Sequence, residues 1–432
     1  MGGRVGDQRM DDWFRLDNAA KIYPATNNEA TPAVFRISLE LREPVRIREL
    51  QDALDALMAR VPYYQVHLRR GFFWYYLQRH AEPVVIRPMP DHPLTRIQLH
   101  RSDEPLLHVY ARSSSVAADF SHVLTDGYGG MRFLASLIVE YLRRIGEPVT
   151  VGPMLMDPNE PVPPQEYEDA FQALYRDGVP KAPNLEPAYH VGGVPYAHGY
   201  RTITGQLPLK PALAVARGYE ATLTEYIVAA YMDAIKLVYE QQAEGVIKPL
   251  RKIIRIEVPV NLRRIHPSAT MRNFSLFVSP EIDLRLGDWD FNRILRRVHN
   301  EMNIQVDPAE LARQIARNVG GERSRLIRLV PRVLKDAYLA YLRRTIGDRS
   351  YSGVVSNLGR FVLPEGLERY VRSAGVVLGP NTAYKTGCGV VSCADVLSIT
   401  FGSVIQNRSV EREFFRRLAA DGLEITILEC VP

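Results

Sequence analysis

Apolar and polar residues follow two regular patterns along the first third of the chain. Residues 35–42 alternate between apolar and polar side chains, which predicts a half-buried strand. Residues 47–61 repeat apolar side chains every three or four positions, which predicts an amphipathic helix. Two aromatic-rich runs, 63–68 and 72–77, flank a glycine and predict a hairpin whose aromatic side chains pack on its two faces.

A second strand pair is predicted over 106–110 and 116–122, and a glycine-rich turn follows it. An apolar pattern at helical spacing begins directly after that turn and continues to Leu142. The pattern therefore places His122 at a corner where a strand gives way to a helix. Such a corner lets backbone and substrate approach closely, and a neutral imidazole is a competent general base near neutral pH.

The second half of the chain repeats this mixture of elements after a proline-rich stretch over 152–200. We expect three parts: an N-terminal lobe over 1–151, a crossover over 152–200 and a C-terminal lobe over 201–432. In the last part, the patterns predict strands at 201–207, 253–260, 274–282, 352–356, 374–378, 396–401 and 423–430, and helices at 223–238, 291–302, 323–344 and 410–419. The fold class predicted is α/β.

Composition is that of a soluble globular protein large enough for two cores, with 432 residues, 46% of them hydrophobic and 24% charged. The net charge of +5 is too diffuse to indicate nucleic-acid binding, although it favours an anionic ligand such as a phosphorylated cofactor. Three cysteines, Cys388, Cys393 and Cys430, without paired spacing disfavour a disulfide framework and a metal site.

The sequence shows no secretion signal at its N-terminus and no apolar run long enough for a membrane helix. Residues 1–6 carry no apolar signal core, and no apolar run approaches the ~18 residues of a membrane helix. We therefore expect a cytoplasmic protein. The sequence also lacks a Gly-x-Ser-x-Gly elbow, a phosphate-binding loop, a dinucleotide fingerprint and a His-Glu-x-x-His pair, which argues against the corresponding enzyme classes.

Residues 122–127, His-Val-Leu-Thr-Asp-Gly, carry the candidate chemistry. On the residues alone, His122 is a candidate base, and Asp126 is better explained as a buried carboxylate paired with an arginine than as a second catalytic group. The alternative is an ordinary strand–turn–helix connection with an incidental histidine.

The hexapeptide resembles the active-site motif of the CoA-dependent acyltransferase superfamily, which includes chloramphenicol acetyltransferase, nonribosomal peptide condensation domains and alcohol acetyltransferases. Further stretches resemble the alcohol-acetyltransferase-like branch in the same order along the chain. They are Arg-Leu-Asp-Asn-Ala-Ala-Lys-Ile-Tyr-Pro at 15–24, Val-Pro-Val-Asn-Leu-Arg-Arg at 258–264, Met-Arg-Asn-Phe at 271–274 and Val-Ser-Asn-Leu-Gly at 355–359.

The resemblance implies two chloramphenicol acetyltransferase-like lobes, each a mixed sheet flanked by helices, with a tunnel between them. It implies an acyltransferase in which His122 is the general base. The expected partners are acyl-CoA or an acyl carrier protein as donor and a small alcohol or amine as acceptor, with acyl-CoA as co-substrate and no permanently bound cofactor. The alternatives are a carrier-dependent condensation enzyme and a catalytically silent binding protein.

The resemblance also implies roles for residues around His122. Asp126 would pair with an arginine of the second lobe, for which Arg263 is the first choice and Arg264 and Arg272 are alternatives. Oxyanion stabilisation would come from backbone amides around Gly127 or from a polar side chain of the second lobe. Many relatives have a second histidine at the position of Ser121. The positions expected to line the tunnel are Ser121, Tyr128, Asn273, Ser356 and Asn357.

Overall fold

A computed structural model describes residues 13–430 except 95, 100, 102, 150, 151, 153, 154 and 244–249. Residues 1–6, on which the expected lack of a signal core rests, and the side chain of Cys430 lie outside the described part. Sixteen strands are β1 (Trp13–Arg15), β2 (Val34–Leu41), β3 (Val66–Arg70), β4 (Tyr75–Arg79), β5 (Ile86–Pro88), β6 (Leu107–Arg112), β7 (Ser115–Ser121), β8 (Arg201–Pro208), β9 (Ile253–Asn261), β10 (Ser275–Val278), β11 (Glu281–Asp283), β12 (Gly353–Arg360), β13 (Val371–Val377), β14 (Thr386–Cys393), β15 (Val396–Ser403) and β16 (Thr426–Cys430) in the described residues.

The α-helices of the described residues alternate with these strands over most of the chain. They are α1 (Tyr23–Thr26), α2 (Ile47–Arg60), α3 (Gly127–Arg144), α4 (Phe171–Leu174), α5 (Leu209–Gly218), α6 (Leu223–Ala243), α7 (Phe291–Gln305), α8 (Pro308–Arg323), α9 (Arg325–Leu329), α10 (Arg332–Leu342) and α11 (Ser409–Ala420). The α/β fold class predicted from the sequence is confirmed.

Three sheets organise the described residues. The first has the order β13-β2-β7-β6-β5, and the second has the order β10-β9-β12-β14-β15-β8-β16 with β11 also paired to β9. A small third sheet, β1-β4-β3, contains the expected aromatic hairpin. One hydrophobic core joins the first sheet to α2 and α3, and another joins the second sheet to α6, α7 and α11. Burial of apolar faces on both sheets is the main stabilising contribution.

The local patterns predicted many of these elements with small shifts at their ends. The helix after Thr222 begins with a capping box, in which the Thr222 amide donates to Glu225 Oε2 at 2.8 Å and the Glu225 amide donates to Thr222 Oγ1 at 3.3 Å. Where one strand was predicted over 274–282, the chain forms two short strands that both pair antiparallel to β9.

The position of β13 corrects the expectation that the strand near 374–378 belongs with the second lobe. This strand pairs antiparallel to β2, and it therefore forms the edge of the first sheet. It also crosses β14 closely, since a Cβ atom on Gly389 would lie 2.8 Å from the carbonyl oxygen of Val376. Glycine at this position is what allows β13 to pass so near the second sheet.

Candidate active site

A cavity of about 1940 Å³ lies among the motif corner, β9 and β12. Its lining includes His122 from the end of the first sheet, Arg264 from the turn after β9, and Ser356 from β12. Residues from both halves of the chain therefore face one space. A cavity of this volume can hold a small-molecule ligand with room to spare.

His122 is held by its backbone and by the rings on either side of its imidazole. Its amide donates to the carbonyl of Ala33 at 2.9 Å, and its carbonyl accepts from Asn273 Nδ2 at 2.9 Å. The imidazole stacks on Tyr23 with ring centroids 5.2 Å apart, and Phe35 lies on it at 4.6 Å. The ring is half-buried and lines the cavity, so its orientation is fixed by packing.

Burial lowers the pKa of His122 from 6.5 to about 4, because the aromatic surroundings disfavour the charged ring. The Asp126 carboxylate and the Thr125 backbone favour the charged form, but they offset only part of the effect of burial. The imidazole is therefore neutral at pH 7. A neutral imidazole can accept a proton, which is the first requirement for a general base.

We expect the His122 resonance to titrate near pH 4 in NMR spectra of protein with ¹⁵N-labelled histidine. The signal is assigned as the one that disappears in His122→Ala. Between about pH 6.5 and pH 4 the unfolded chain binds this proton and the folded protein does not, so the histidine lowers stability as the pH falls through that window. A His122 resonance that titrates between pH 6 and 7 would contradict the burial argument.

Asp126 is the N-cap of α3, and both of its carboxylate oxygens have partners. Oδ1 accepts from the amide of Gly129 at 3.1 Å, while Oδ2 accepts from Arg263 Nη1 and from the amide of Phe274, both at 2.8 Å. Three donors on a buried carboxylate fix the corner and join it to the turn after β9. The Asp126 carboxylate therefore holds the loop in place, as expected for a buried carboxylate that pairs with an arginine.

Among the three candidate arginines, Arg263 is the one that contacts Asp126. Its guanidinium also donates to the carbonyls of Thr270 at 2.8 Å and of Arg272 at 2.6 Å. Arg264 lines the cavity beside Arg263. The Arg272 side chain is buried and donates from Nη1 to the carbonyl of Leu124 at 3.2 Å, so it supports the same corner from another side.

Asn273 connects the carbonyl of His122 to a second buried carboxylate. Its Nδ2 donates to His122 and also to Asp17 Oδ2 at 3.0 Å, and Asp17 Oδ1 accepts from the amide of Ala20 at 2.8 Å. Burial raises the pKa of Asp17 to about 7. Asn273 lines the cavity as expected, and its amide also supports the backbone of the candidate base. Asp17 lies in the stretch 15–24 that resembles the alcohol-acetyltransferase-like branch, but no role was predicted for it.

Tyr128, Ser356 and Asn357, which were expected to line the tunnel, line the cavity, and Gly127 lines it too. A Cβ atom on Gly127 would press against the side chain of Leu358 on β12, so a larger residue would require that side chain to move. The centroid of the Tyr128 ring lies 4.5 Å from the Arg263 guanidinium, so the ring packs on the arginine that pairs with Asp126.

Ser121 corrects the prediction that it lines the tunnel. Its side chain is fully buried and absent from the cavity wall, and its hydroxyl accepts from the amide of Val123 at 3.2 Å. Neighbouring residues of a strand point to opposite faces, so a chain that aims His122 into the cavity aims Ser121 away from it. The serine therefore supports the turn from inside the core.

Glu257 on β9 also lines the cavity, although no sequence pattern singled it out. Burial raises its pKa to about 7, and the nearby Asp348 carboxylate adds to the shift. Cys388 and Cys393 are free thiols that lie fully buried outside the cavity wall, and burial raises the pKa of Cys393 to about 11. Neither cysteine is placed to act as a nucleophile on a ligand in the cavity.

No protein-family model matches the chain, and no curated protein matches it. Solved structures do share its fold. Polyketide synthase associated protein 5 from Mycobacterium tuberculosis is 16% identical, with a TM-score of 0.61 over 94% of this chain and 96% of that one. The epimerization domain from the third module of tyrocidine synthetase B is 12% identical, with a TM-score of 0.60 over 95% of this chain and 96% of that one.

The TRI3 trichothecene 15-O-acetyltransferase from Fusarium sporotrichioides is also similar, with 12% identity and a TM-score of 0.60 over 95% of this chain and 94% of the enzyme. Together these structures confirm the expected two-lobed condensation and acyltransferase fold. At these identities the similarity establishes the fold and not the reaction. In the described residues, no helix is long and apolar enough to cross a bilayer.

Proposed function

We propose that the protein transfers an acyl group from a CoA or carrier-protein thioester to an alcohol or amine, with His122 as general base. The observation that carries the proposal is the neutral His122 imidazole facing a cavity of about 1940 Å³. Nδ1 of the ring is buried without a hydrogen-bond partner in the described residues, and we assign the role of proton acceptor to Nε2.

In the proposed reaction, Nε2 of His122 takes the proton from the acceptor hydroxyl or amine while the oxygen or nitrogen attacks the thioester carbonyl. The new bond gives a tetrahedral intermediate. Its collapse breaks the carbon–sulfur bond, and the imidazolium returns the proton to the leaving thiolate. The products are an ester or amide and a free thiol, and no acyl group is attached to the protein at any step.

The cavity wall offers basic side chains for the phosphates of a CoA or phosphopantetheine donor. Arg264 and Lys181 line it, and either could approach an anionic group. CoA is the simpler donor because it is a diffusible small molecule and needs no partner protein. The alternatives are condensation between two carrier-bound substrates and binding without catalysis.

The test is thiol release from a panel of acyl-CoAs, with and without a set of small alcohols and amines. We expect thiol release that depends on both the donor and an acceptor, and a product whose mass is that of the acceptor plus the acyl group. Release that requires both a carrier-bound donor and a carrier-bound acceptor would indicate the condensation alternative. If no donor releases thiol but ligands bind in the cavity, the binding function replaces the proposed one.

A further inference from the structure

A strongly exposed apolar surface covers α9, α10 and the tip of the β3–β4 hairpin. Its most exposed members are Leu326 at 80%, Phe72 at 74% and Leu329 at 70%. We call this surface the apolar ridge, and it comprises Phe72, Phe73, Leu326, Leu329, Val333, Leu334, Tyr338 and Tyr341. An apolar surface of this extent on a folded protein indicates an interaction site.

The helix and the hairpin tip are tied to each other, so the apolar ridge is one surface. The amide of Arg332 donates to the carbonyl of Phe72 at 3.0 Å, and Lys335 Nζ donates to the carbonyl of Phe73 at 3.2 Å. The Lys335 ammonium also lies 3.6 Å from the centroid of the Trp74 ring. These contacts fix the hairpin tip beside α10.

The segment that carries the apolar ridge is also strongly basic. Residues 323–344 include seven arginines and lysines and a single acidic residue, Asp336. The Asp336 carboxylate accepts from Arg332 Nη1 at 2.7 Å and from the Tyr75 hydroxyl at 2.8 Å, so it is already engaged. Arg323 and Arg328 are exposed beside the apolar side chains. The combination of exposed aliphatic and aromatic groups with arginines is typical of helices that lie on anionic membranes.

The apolar ridge continues into the cavity. Ile327, Leu334 and Tyr338 are exposed to solvent and also line the cavity that contains His122. Helices α9 and α10 therefore form a wall of the cavity, and their side chains extend from the cavity to the outer surface. A ligand with a long hydrocarbon chain could pass between them without leaving apolar surroundings.

We propose that the apolar ridge docks on an anionic lipid bilayer, with its side chains at the boundary between headgroups and acyl chains. The side chains project from helices and a hairpin tip, and therefore suit a deformable lipid surface. A second copy of the chain fits less well, because pairing two such basic surfaces brings like charges together. Membrane docking is independent of any catalytic role of His122.

The experiment is sedimentation with vesicles of phosphatidylcholine alone or with about one-third phosphatidylglycerol. We expect the protein to bind the anionic vesicles and to be released as the salt concentration rises. The variant Leu329→Glu/Val333→Glu should bind roughly tenfold or more weakly, because it places two carboxylates where apolar groups insert. Leu286→Glu is the matched control, since Leu286 is 65% exposed but lies on another surface.

Thermal melting of all three proteins shows whether the substitutions leave the fold intact, as expected for exposed sites. The proposal is overturned if the wild type fails to bind anionic vesicles, binds neutral vesicles equally well, or binds them as strongly after the double substitution. Equal loss of binding in Leu286→Glu also overturns it. Sedimentation velocity tests the other occupant: a dimer that the double variant abolishes, without vesicle binding, makes the ridge an interface between copies.

Discussion

Replacement of His122 by alanine should lower the rate of thiol release by roughly two to four orders of magnitude, with little change in folding. In the proposed reaction the imidazole that lines the cavity is the base, and its removal leaves the acceptor without a positioned group to take its proton. The ring also contacts Tyr23 and Phe35 at centroid distances of 5.2 and 4.6 Å, so some loss of packing accompanies the loss of the base. The measurement is turnover at saturating donor and acceptor, together with thermal melting.

His190 provides a matched control for this prediction. It is a half-buried histidine whose pKa is also lowered to about 4 by burial, but it does not line the cavity. His190→Ala should therefore retain most of the turnover. If His122→Ala turns over as fast as the wild type, or if the two variants lose activity equally, His122 is not the base.

Asp126→Ala is expected to destabilise the protein by about 3–5 kcal/mol, because it leaves the Arg263 guanidinium buried and unpaired by a carboxylate. The loss of the acceptor for the amides of Gly129 and Phe274 adds to this cost. Urea denaturation measures the change. The second substitution in Asp126→Ala/Arg263→Met removes the uncompensated charge and should restore part of the lost stability.

Asp103→Ala is the control for this second prediction, since Asp103 forms an ion pair with Arg101 that is exposed on both sides. Its denaturation midpoint should stay close to that of the wild type. An Asp126→Ala protein that unfolds at the wild-type midpoint yet shows no turnover would mean that the carboxylate takes part in the chemistry. In that case the structural role that we assign to Asp126, through its three hydrogen bonds, would be wrong.

Sequence patterns predicted the corner at His122 because every signal for it is local. The apolar strand, the glycines and the helical repeat lie within 30 residues of one another, and the structure has them in the same order. Arg263 was the first choice from the sequence for the partner of Asp126, with Arg264 and Arg272 as alternatives, and the structure has Arg263 in contact with Asp126. Both Arg263 and Arg264 line the cavity, and the short 3-10 turn after β9 aims the Arg263 guanidinium at Asp126.

Contacts between distant segments could not be read from local patterns. The stacking of Tyr23 on His122 and the bridge from Asn273 to Asp17 depend on how segments far apart in the chain are aligned. β14 was missed because glycines interrupt its apolar run, although one of them, Gly389, is what allows β13 to pass close to it. The helix α8 was also missed, but a signal existed, since Leu311, Ile315 and Val319 recur at helical spacing.

The pairing of β13 with β2 has a consequence for synthesis of the protein on the ribosome. β2 is made near the start of the chain, but the strand that covers its open edge is made near the end. At ordinary translation rates the interval is on the order of tens of seconds. During that time the backbone amides and carbonyls along the outer edge of β2 have no strand partner, and an open edge of this kind can pair with other nascent chains. The yield of correctly folded protein in cells should therefore depend on translation speed and on chaperones that shield this edge.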